Sequence, residues 1–297
     1  MATLKITSDG DPHPVKAGVG NSFSNDGATS RQFPSYAIFD QNYSFTFTYR
    51  GGSNTRDPEV IRTDVQSAIG ITTNGVPIFT SASAIRSLPT SLKSAPTNFT
   101  WNEIELPNDF ITDACDGKPD QSGKYTYRSG AFYSNGMVGN TKFFNSSSYY
   151  SSGDVAGNFG ADKLRHGGSD AMTSGHSKII GFAFDGYPIY GPYGFENPND
   201  PLSSVIRMRS SYQKLTTPAQ GRNFNFSEVP SGAFVEDYVY NPVSEVGTLD
   251  EFNGRYCKTP DYMSGTYAYF LTFEDSNLTL PEYPYIIGPS TREQRTA

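Results

Sequence analysis

Charge is scarce in this chain. Charged residues fill 18% of its 297 positions, against roughly 25% in an average soluble domain. Good helix formers are scarce as well: Leu occurs eleven times, and Ala, Glu and Lys are also sparse. That excludes a helical bundle or coiled coil and argues against a repeating βα fold, which needs a run of amphipathic helices. The net charge of −7 contains no block of one sign. There is therefore no clustered Lys and Arg surface for nucleic acid. No apolar run approaches the roughly 18 residues of a membrane helix, so no membrane insertion is expected. Met1 to Gly10 lacks the apolar core of a secretory signal. The N-x-S/T sequons at Asn42, Asn98, Asn145, Asn225 and Asn277 then read as polar loop composition.

Reactive side chains are few. Cys115 and Cys257 are the two cysteines, read as reduced buried thiols ahead of a disulfide across the fold. The three histidines, His13, His166 and His176, lie far apart, and no CxxC pair exists for zinc. GxSxG, HExxH, GxxxxGK[ST] and a post-strand GxGxxG are all absent.

What is abundant is aromatic and turn-forming. Aromatics reach 14%, from 21 Phe, 20 Tyr and 1 Trp, and there are 29 Gly and 20 Pro. Such a chain forms strands and turns. Tyr43 to Tyr49 (YSFTFTY) alternates strictly and is a strand. Pro58 to Ser67 reads as a short helix or as a strand and turn. Ile69 to Thr80 (IGITTNGVPIFT) is two apolar arms around Asn74-Gly75, a strong hairpin signal. Ser81 to Thr100, Ser129 to Gly175 and Pro198 to Gly221 read as surface excursions, with Val205 to Arg209 a helical turn or a strand.

Two elements recur in the same order. Ile69-Gly70 and Gly75-x-Pro77-Ile78-Phe79 match Ile180-Gly181 and Gly186-x-Pro188-Ile189-Tyr190. Cys115, Pro119-Asp120, Ser122-Gly123 and Tyr125-x-Tyr127 match Cys257, Pro260-Asp261, Ser264-Gly265 and Tyr267-x-Tyr269. Duplication of one β unit explains both. The expected fold is mainly β: a sandwich-like body of two duplicated β halves, about 66–130 and 176–290, with long irregular surface loops. Each Tyr-x-Tyr puts both rings on one strand face, where they build core between the halves.

Candidates for chemistry are isolated. His166 and His176 flank a Gly/Ser loop and read as hydrogen-bonded loop histidines, or as metal ligands with Asp185. Asp185 reads as the first central residue of a two-residue turn at φ > 0. Asn74 fills the same slot in the other half, so the position selects for turn chemistry and not for charge. Asp250-Glu251 reads as a turn or an ion pair with Arg255. Glu103 and Glu105 are spaced to share a strand face, as a glycosidase pair or calcium ligands would.

Three segments resemble the YHYH domain: Cys115 to Arg128 (CDGKPDQSGKYTYR), His176 to Gly194 (HSKIIGFAFDGYPIYGPYG) and Leu249 to Thr272 (LDEFNGRYCKTPDYMSGTYAYFLT). The resemblance spans about 66–290 and divides the chain into an N-terminal β segment (1–65) packed on or extending from the body, the YHYH-like domain with its long loop at 129–175, and a C-terminal tail (291–297). The family includes proteins of marine bacteria and virion proteins of cyanobacterial phages. Its Tyr-His-Tyr-His motif would suit a metal site, yet the matching positions here are Tyr125, Thr126, Tyr127 and Arg128. Arg stays protonated and cannot ligate. What remains in the other motifs is His176, Asp185, Asp250 and Glu251. The resemblance implies a virion structural protein of the tail, baseplate, fibre or capsid surface. Its partners would be other virion proteins and copies of itself, with a host-surface glycan as a further contact. No cofactor is expected, a calcium ion being the alternative. The competing readings are a carbohydrate-binding or carbohydrate-degrading module and a divalent-metal-binding protein.

Overall fold

The computed structural model describes residues 2–10, 40–62, 67–83, 99–105, 117–120, 122–130, 176–274 and 280–296. His166, Cys115 and most of the 81–100 and 129–175 excursions lie outside these. The strands, in chain order, begin with β1 (Ala2–Ser8), β2 (Tyr43–Tyr49), β3 (Glu59–Val60), β4 (Gly70–Thr72), β5 (Pro77–Ile78) and β6 (Ala82–Ser83). Next come β7 (Trp101–Asn102), β8 (Gly117–Pro119), β9 (Tyr125–Tyr127), β10 (Ile179–Ala183), β11 (Pro188–Tyr190) and β12 (Tyr193–Phe195). The last are β13 (Val205–Arg207), β14 (Tyr212–Lys214), β15 (Tyr238–Tyr240), β16 (Gly254–Thr259), β17 (Tyr262–Phe270) and β18 (Ser290–Thr291). The chain is mainly β, with one short 3-10 turn at Val235–Asp237 among the described residues. No helix there is long and apolar enough to cross a membrane.

One eight-stranded sheet runs in the order β16-β17-β11-β10-β4-β5-β9-β8, and five two-stranded ribbons surround it. That order reads the same from either edge once the duplicated strands are equated. Antiparallel β4 and β10 meet at the centre, with Ile71 opposite Phe182. Outside each lies its hairpin partner, and each partner then takes a parallel strand: Ile78 pairs with Tyr127, and Ile189 with Tyr269. Contacts across the centre are reciprocal. Thr73 N–H donates to Ile180 O (2.8 Å) and Phe184 N–H to Ile69 O (2.9 Å). A Cβ on Gly70 would lie 2.7 Å from Phe182 O, and one on Gly181 would lie 2.6 Å from Ile71 O. The Tyr-x-Tyr pairs match too, with ring centroids 5.4 Å apart and planes at 86° and 85°.

The sequence alignment of the outer strands requires correction. Gly117 pairs with Tyr127 and Gly254 with Tyr269. Each of these glycines lies against a tyrosine phenol, Tyr125 and Tyr267 respectively, that a side chain would displace. Ten residues separate the first pair and fifteen the second, so the β16–β17 hairpin is longer. Cys257 therefore lies inside its hairpin, opposite Thr266, whereas Cys115 precedes Gly117. Pro119-Asp120 and Pro260-Asp261 do not occupy equivalent places. Cys257 is a buried free thiol, and burial pushes its titration up.

The turns also differ from expectation. Gly75 N–H closes on Thr72 O and Gly186 N–H on Ala183 O, each at 2.9 Å. The loops are three residues long, and Gly75 and Gly186 carry the positive φ (88° and 97°) while Asn74 and Asp185 do not. Pro58 to Ser67 contributes the strand β3, and the 198–221 excursion contains β13 and β14.

The faces of the sheet bury different material. On one, Ile78, Tyr125, Tyr127, Ile189, Tyr267 and Tyr269 pack under Val235, Tyr238 and the chain from Tyr283 to Ile287. On the other, the ribbon of β1 and β2 sets Leu4, Ile6, Phe45 and Phe47 against Ile71 and Phe184 at the centre. Nearer β16, Tyr190, Ala268 and Phe270 pack with Met208, Leu249 and Cys257 on that second face. The expected tail is not a tail: Ser290–Thr291 pairs with β3, Glu293 is 5% exposed, and Thr296 N–H donates to Phe184 O.

Because a Cβ at either central glycine meets backbone and not a movable side chain, Gly70→Ala and Gly181→Ala should each destabilise the fold by about 1–3 kcal/mol, and by similar amounts. Urea unfolding midpoints of the two variants measure this, and a tolerated alanine at one position would break the equivalence of the halves.

Candidate functional site

The strongest polar concentration lies at the ends of β11, β17 and the C-terminal segment. Alternation along β17 sends Tyr267 and Tyr269 to the tyrosine-rich face, and their hydroxyls reach two carboxyls. Tyr269 OH donates to Asp185 Oδ2. Tyr267 OH lies 2.8 and 3.0 Å from the oxygens of Asp250. Asp185 further accepts the N–H of Tyr187 (3.3 Å) and of Glu293 (3.2 Å). Asp250 Oδ1 accepts the N–H of Phe252 (3.0 Å) and of Gly254 (3.1 Å). Arg292 joins the two: its N–H donates to Tyr269 OH (2.7 Å), its guanidinium lies 4.7 Å from the Tyr267 ring, and Nη1 is 4.0 Å from Asp250. Arg50 closes the other side, with Nε donating to Asp185 O (3.0 Å) and Nη2 3.6 Å from Glu293.

Burial dominates the titration of both carboxyls. Each is pushed up to about 6 despite the donors around it, which act in the opposite direction. Tyr267 and Tyr269 are raised by burial and by their carboxylate partners. Asp185 is fully buried, and its three donors come from the protein itself. It holds the C-terminal segment on the sheet and offers no face to a substrate. What the position uses is a pair of acceptor oxygens, Oδ1 for the Tyr187 N–H and Oδ2 for the Tyr269 hydroxyl and the Glu293 N–H, whereas Asn74 in the equivalent turn takes the Thr72 hydroxyl, a bond inside its own hairpin.

The other expected groupings are not assembled. His176 is buried, and its Nδ1 donates to Ser177 O at 2.7 Å. Its ring packs against Tyr190, Phe195 and Phe270. Phe270 belongs to the opposite face of β17 from Tyr267, so the sheet separates His176 from Asp250. Glu251 points outward to Arg56 (2.6 Å), not to Arg255, whose guanidinium lies over Phe270. Glu103 and Glu105 diverge, Glu103 to Lys118 (2.6 Å) and Arg128 (3.1 Å), Glu105 to Lys214 (2.8 Å) and Tyr238 OH (2.7 Å). They share no substrate-facing surface. Among the described residues, no three His, Cys, Asp or Glu side chains come together as a metal ion would require.

The Tyr-Thr-Tyr-Arg positions sit on and just after β9. Tyr125 and Tyr127 are core. Thr126 faces away from them, opposite Lys118. Arg128 lies 4.9 Å over the Phe79 ring and donates to Thr80 O (3.2 Å). Glu103, fully buried, is thus compensated by two cations. Burial lowers the Lys118 titration and Glu103 opposes that shift. The turn and hairpin signals locate Asp185 and Asp250 in the sequence, but nothing there points to Arg292, Glu293 or Arg50, whose roles depend on where the C-terminal segment returns.

A family model described as YHYH protein matches residues 44–280. No curated protein and no solved structure matches the chain.

The folded state binds a proton at Asp185 up to about pH 6, whereas an unfolded aspartate releases it near pH 4. Its contribution to stability is therefore complete below about pH 4 and is lost as pH rises through 6. Asp185→Asn should lie further below the natural protein in urea stability at pH 4.5 than at pH 7, the gap narrowing by about 2 kcal/mol. Asp250 and Glu282, the latter pushed up to about 7, add slopes of the same sign in both proteins and cancel in the difference. A gap that does not change with pH would refute the assignment.

Proposed function

The chain belongs to the YHYH protein family, and from that premise we propose that it is a structural component of a phage particle, working through subunit assembly and contact with other virion proteins. One observation carries the reading: the carboxylates singled out for chemistry are engaged inside the molecule or paired at its surface. Asp185 and Asp250 hold Tyr269 and Tyr267, and Glu103 and Glu251 are ion-paired. Composition supports the same conclusion, since a chain poor in charge and rich in Tyr, Asn, Ser, Thr and Gly suits packed assemblies. A homo-oligomer fits the symmetry of such particles.

The carbohydrate alternative has less support. It asks for exposed tyrosine platforms, yet Tyr125, Tyr127, Tyr187, Tyr190, Tyr267, Tyr269 and Tyr285 are buried. Tyr256, on β16, is 39% exposed. A divalent-metal role finds no assembled ligand set among the described residues.

Purified particles provide the test. Quantitative mass spectrometry should find this chain at a fixed copy number that survives high-salt and chelator washes. Loss in the washes, or absence from particles of the phage that encodes it, would sink the proposal.

A further inference from the structure

A small cavity opens where the chain leaving β5 and β9 meets the segment from Tyr283 to Pro289. Arg62, Phe79, Thr80, Ser81, Arg128 and Tyr283 contribute to its wall. Arg62 is anchored by its backbone, whose N–H donates to Pro289 O at 2.9 Å. Among the described residues its guanidinium makes neither a hydrogen bond nor an ion pair. An arginine carries five N–H donors, and leaving a half-buried one without an acceptor is unfavourable. The nearby charges among the described residues are engaged with other groups. Arg128 and Lys118 both serve Glu103. The carboxylate that feels Arg62 is Glu236, whose Oε2 accepts the Thr100 N–H at 2.7 Å. Neither of these carboxylates makes a hydrogen bond or ion pair with Arg62.

We propose that this cavity binds a carboxylate group. The planar fork of Arg62 matches the two oxygens of a carboxylate, Arg128 supplies a second positive wall, and the Ser81 hydroxyl is a further donor. Size narrows the ligand. The cavity measures about 20 Å³, where one water needs about 10–15 Å³. A carboxylate enters; a sugar ring or nucleobase does not. The group is presented either by a small organic acid or by an acidic side chain of another polypeptide.

Thermal unfolding of the full chain in acetate, against chloride at equal ionic strength, tests the site. Acetate should raise the unfolding midpoint of the natural protein. Arg62→Gln should still fold, because among the described residues the side chain has no hydrogen bond or ion pair to lose and gives up only its attraction to Glu236, and its apparent acetate affinity should fall at least about tenfold. Arg62→Lys, which keeps the charge but not the fork, should fall between. A blocked tetrapeptide containing Asp is the second probe: stabilisation by it as well as by acetate points to a polypeptide carboxylate, and by acetate alone to a small acid. The proposal is overturned if neither probe raises the midpoint, or if Arg62→Gln responds as the natural protein does. Either result leaves the particle reading standing, because that rests on particle composition.

Discussion

At the centre of the sheet two backbones approach more closely than any side chain permits. Gly70 and Gly181 lie where a Cβ would meet the carbonyls of Phe182 and Ile71. The rest of the arrangement follows from that crossing. With β4 and β10 antiparallel about a local two-fold axis, their hairpins open in opposite directions and turn β5 and β11 outward. Each outward strand takes a parallel neighbour, and parallel pairing demands a long crossover. Those crossovers are where the halves differ in length and content. The neighbours, β9 and β17, bring the tyrosine pairs to one face, so the crossing also determines where the phenols and their carboxyl partners lie.

The halves share a frame but not its polar content. In the second, Asp185 and Asp250 are capped by phenols, backbone amides and Arg292. In the first, Asn74 bonds within its own hairpin, and the charge is carried instead by Glu103 with Lys118 and Arg128. Burying a carboxylate is expensive unless donors surround it. Asp185 has three, yet burial still holds its titration at about 6, so the donors offset only part of the desolvation. Such a carboxyl acts as a joint: it orients Tyr269 and fixes the returning C-terminal segment, and it is specific because no other acceptor could take all three donors at once.

Most of the β character was legible in the sequence, and for physical reasons. The alternation of Tyr43 to Tyr49 and the Asn-Gly and Asp-Gly hairpins are local signals, and local signals survive without an alignment. The repeat was legible because both copies need the same glycine at the crossing and the same Tyr-x-Tyr on the parallel strand. The register of the outer hairpins was not, since Cys and Pro-Asp recur by identity while the pairing follows Gly117 and Gly254, whose common feature is a phenol lying against the backbone. The site was legible only in part. Asp185 and Asp250 were visible as turn residues, but their burial depends on Arg292 and Glu293 arriving from a segment with no periodicity or motif of its own. Nor could the sequence show that His176 and Asp250 fall on opposite faces of one sheet, because parity along β17 matters only once the strand exists.

The presence of Thr126 and Arg128 acquires a physical meaning from this geometry. Arg128 pairs with buried Glu103, as does Lys118, whose neighbour across the strands is Thr126. A neutral imidazole at position 128 would leave Lys118 as the one fixed cation on a fully buried carboxylate, and burial already pushes Lys118 toward its neutral form. Arg128 removes that weakness because a guanidinium does not release its proton, and it lies over the Phe79 ring. Thr126, opposite Lys118 on β8, is compact and uncharged and adds no third cation. Where imidazoles at positions 126 and 128 would make this face titratable, Thr126 and Arg128 leave its charge permanently compensated. That is a gain for a protein whose task is to keep one shape, and a loss for one whose task is to exchange protons or hold a metal.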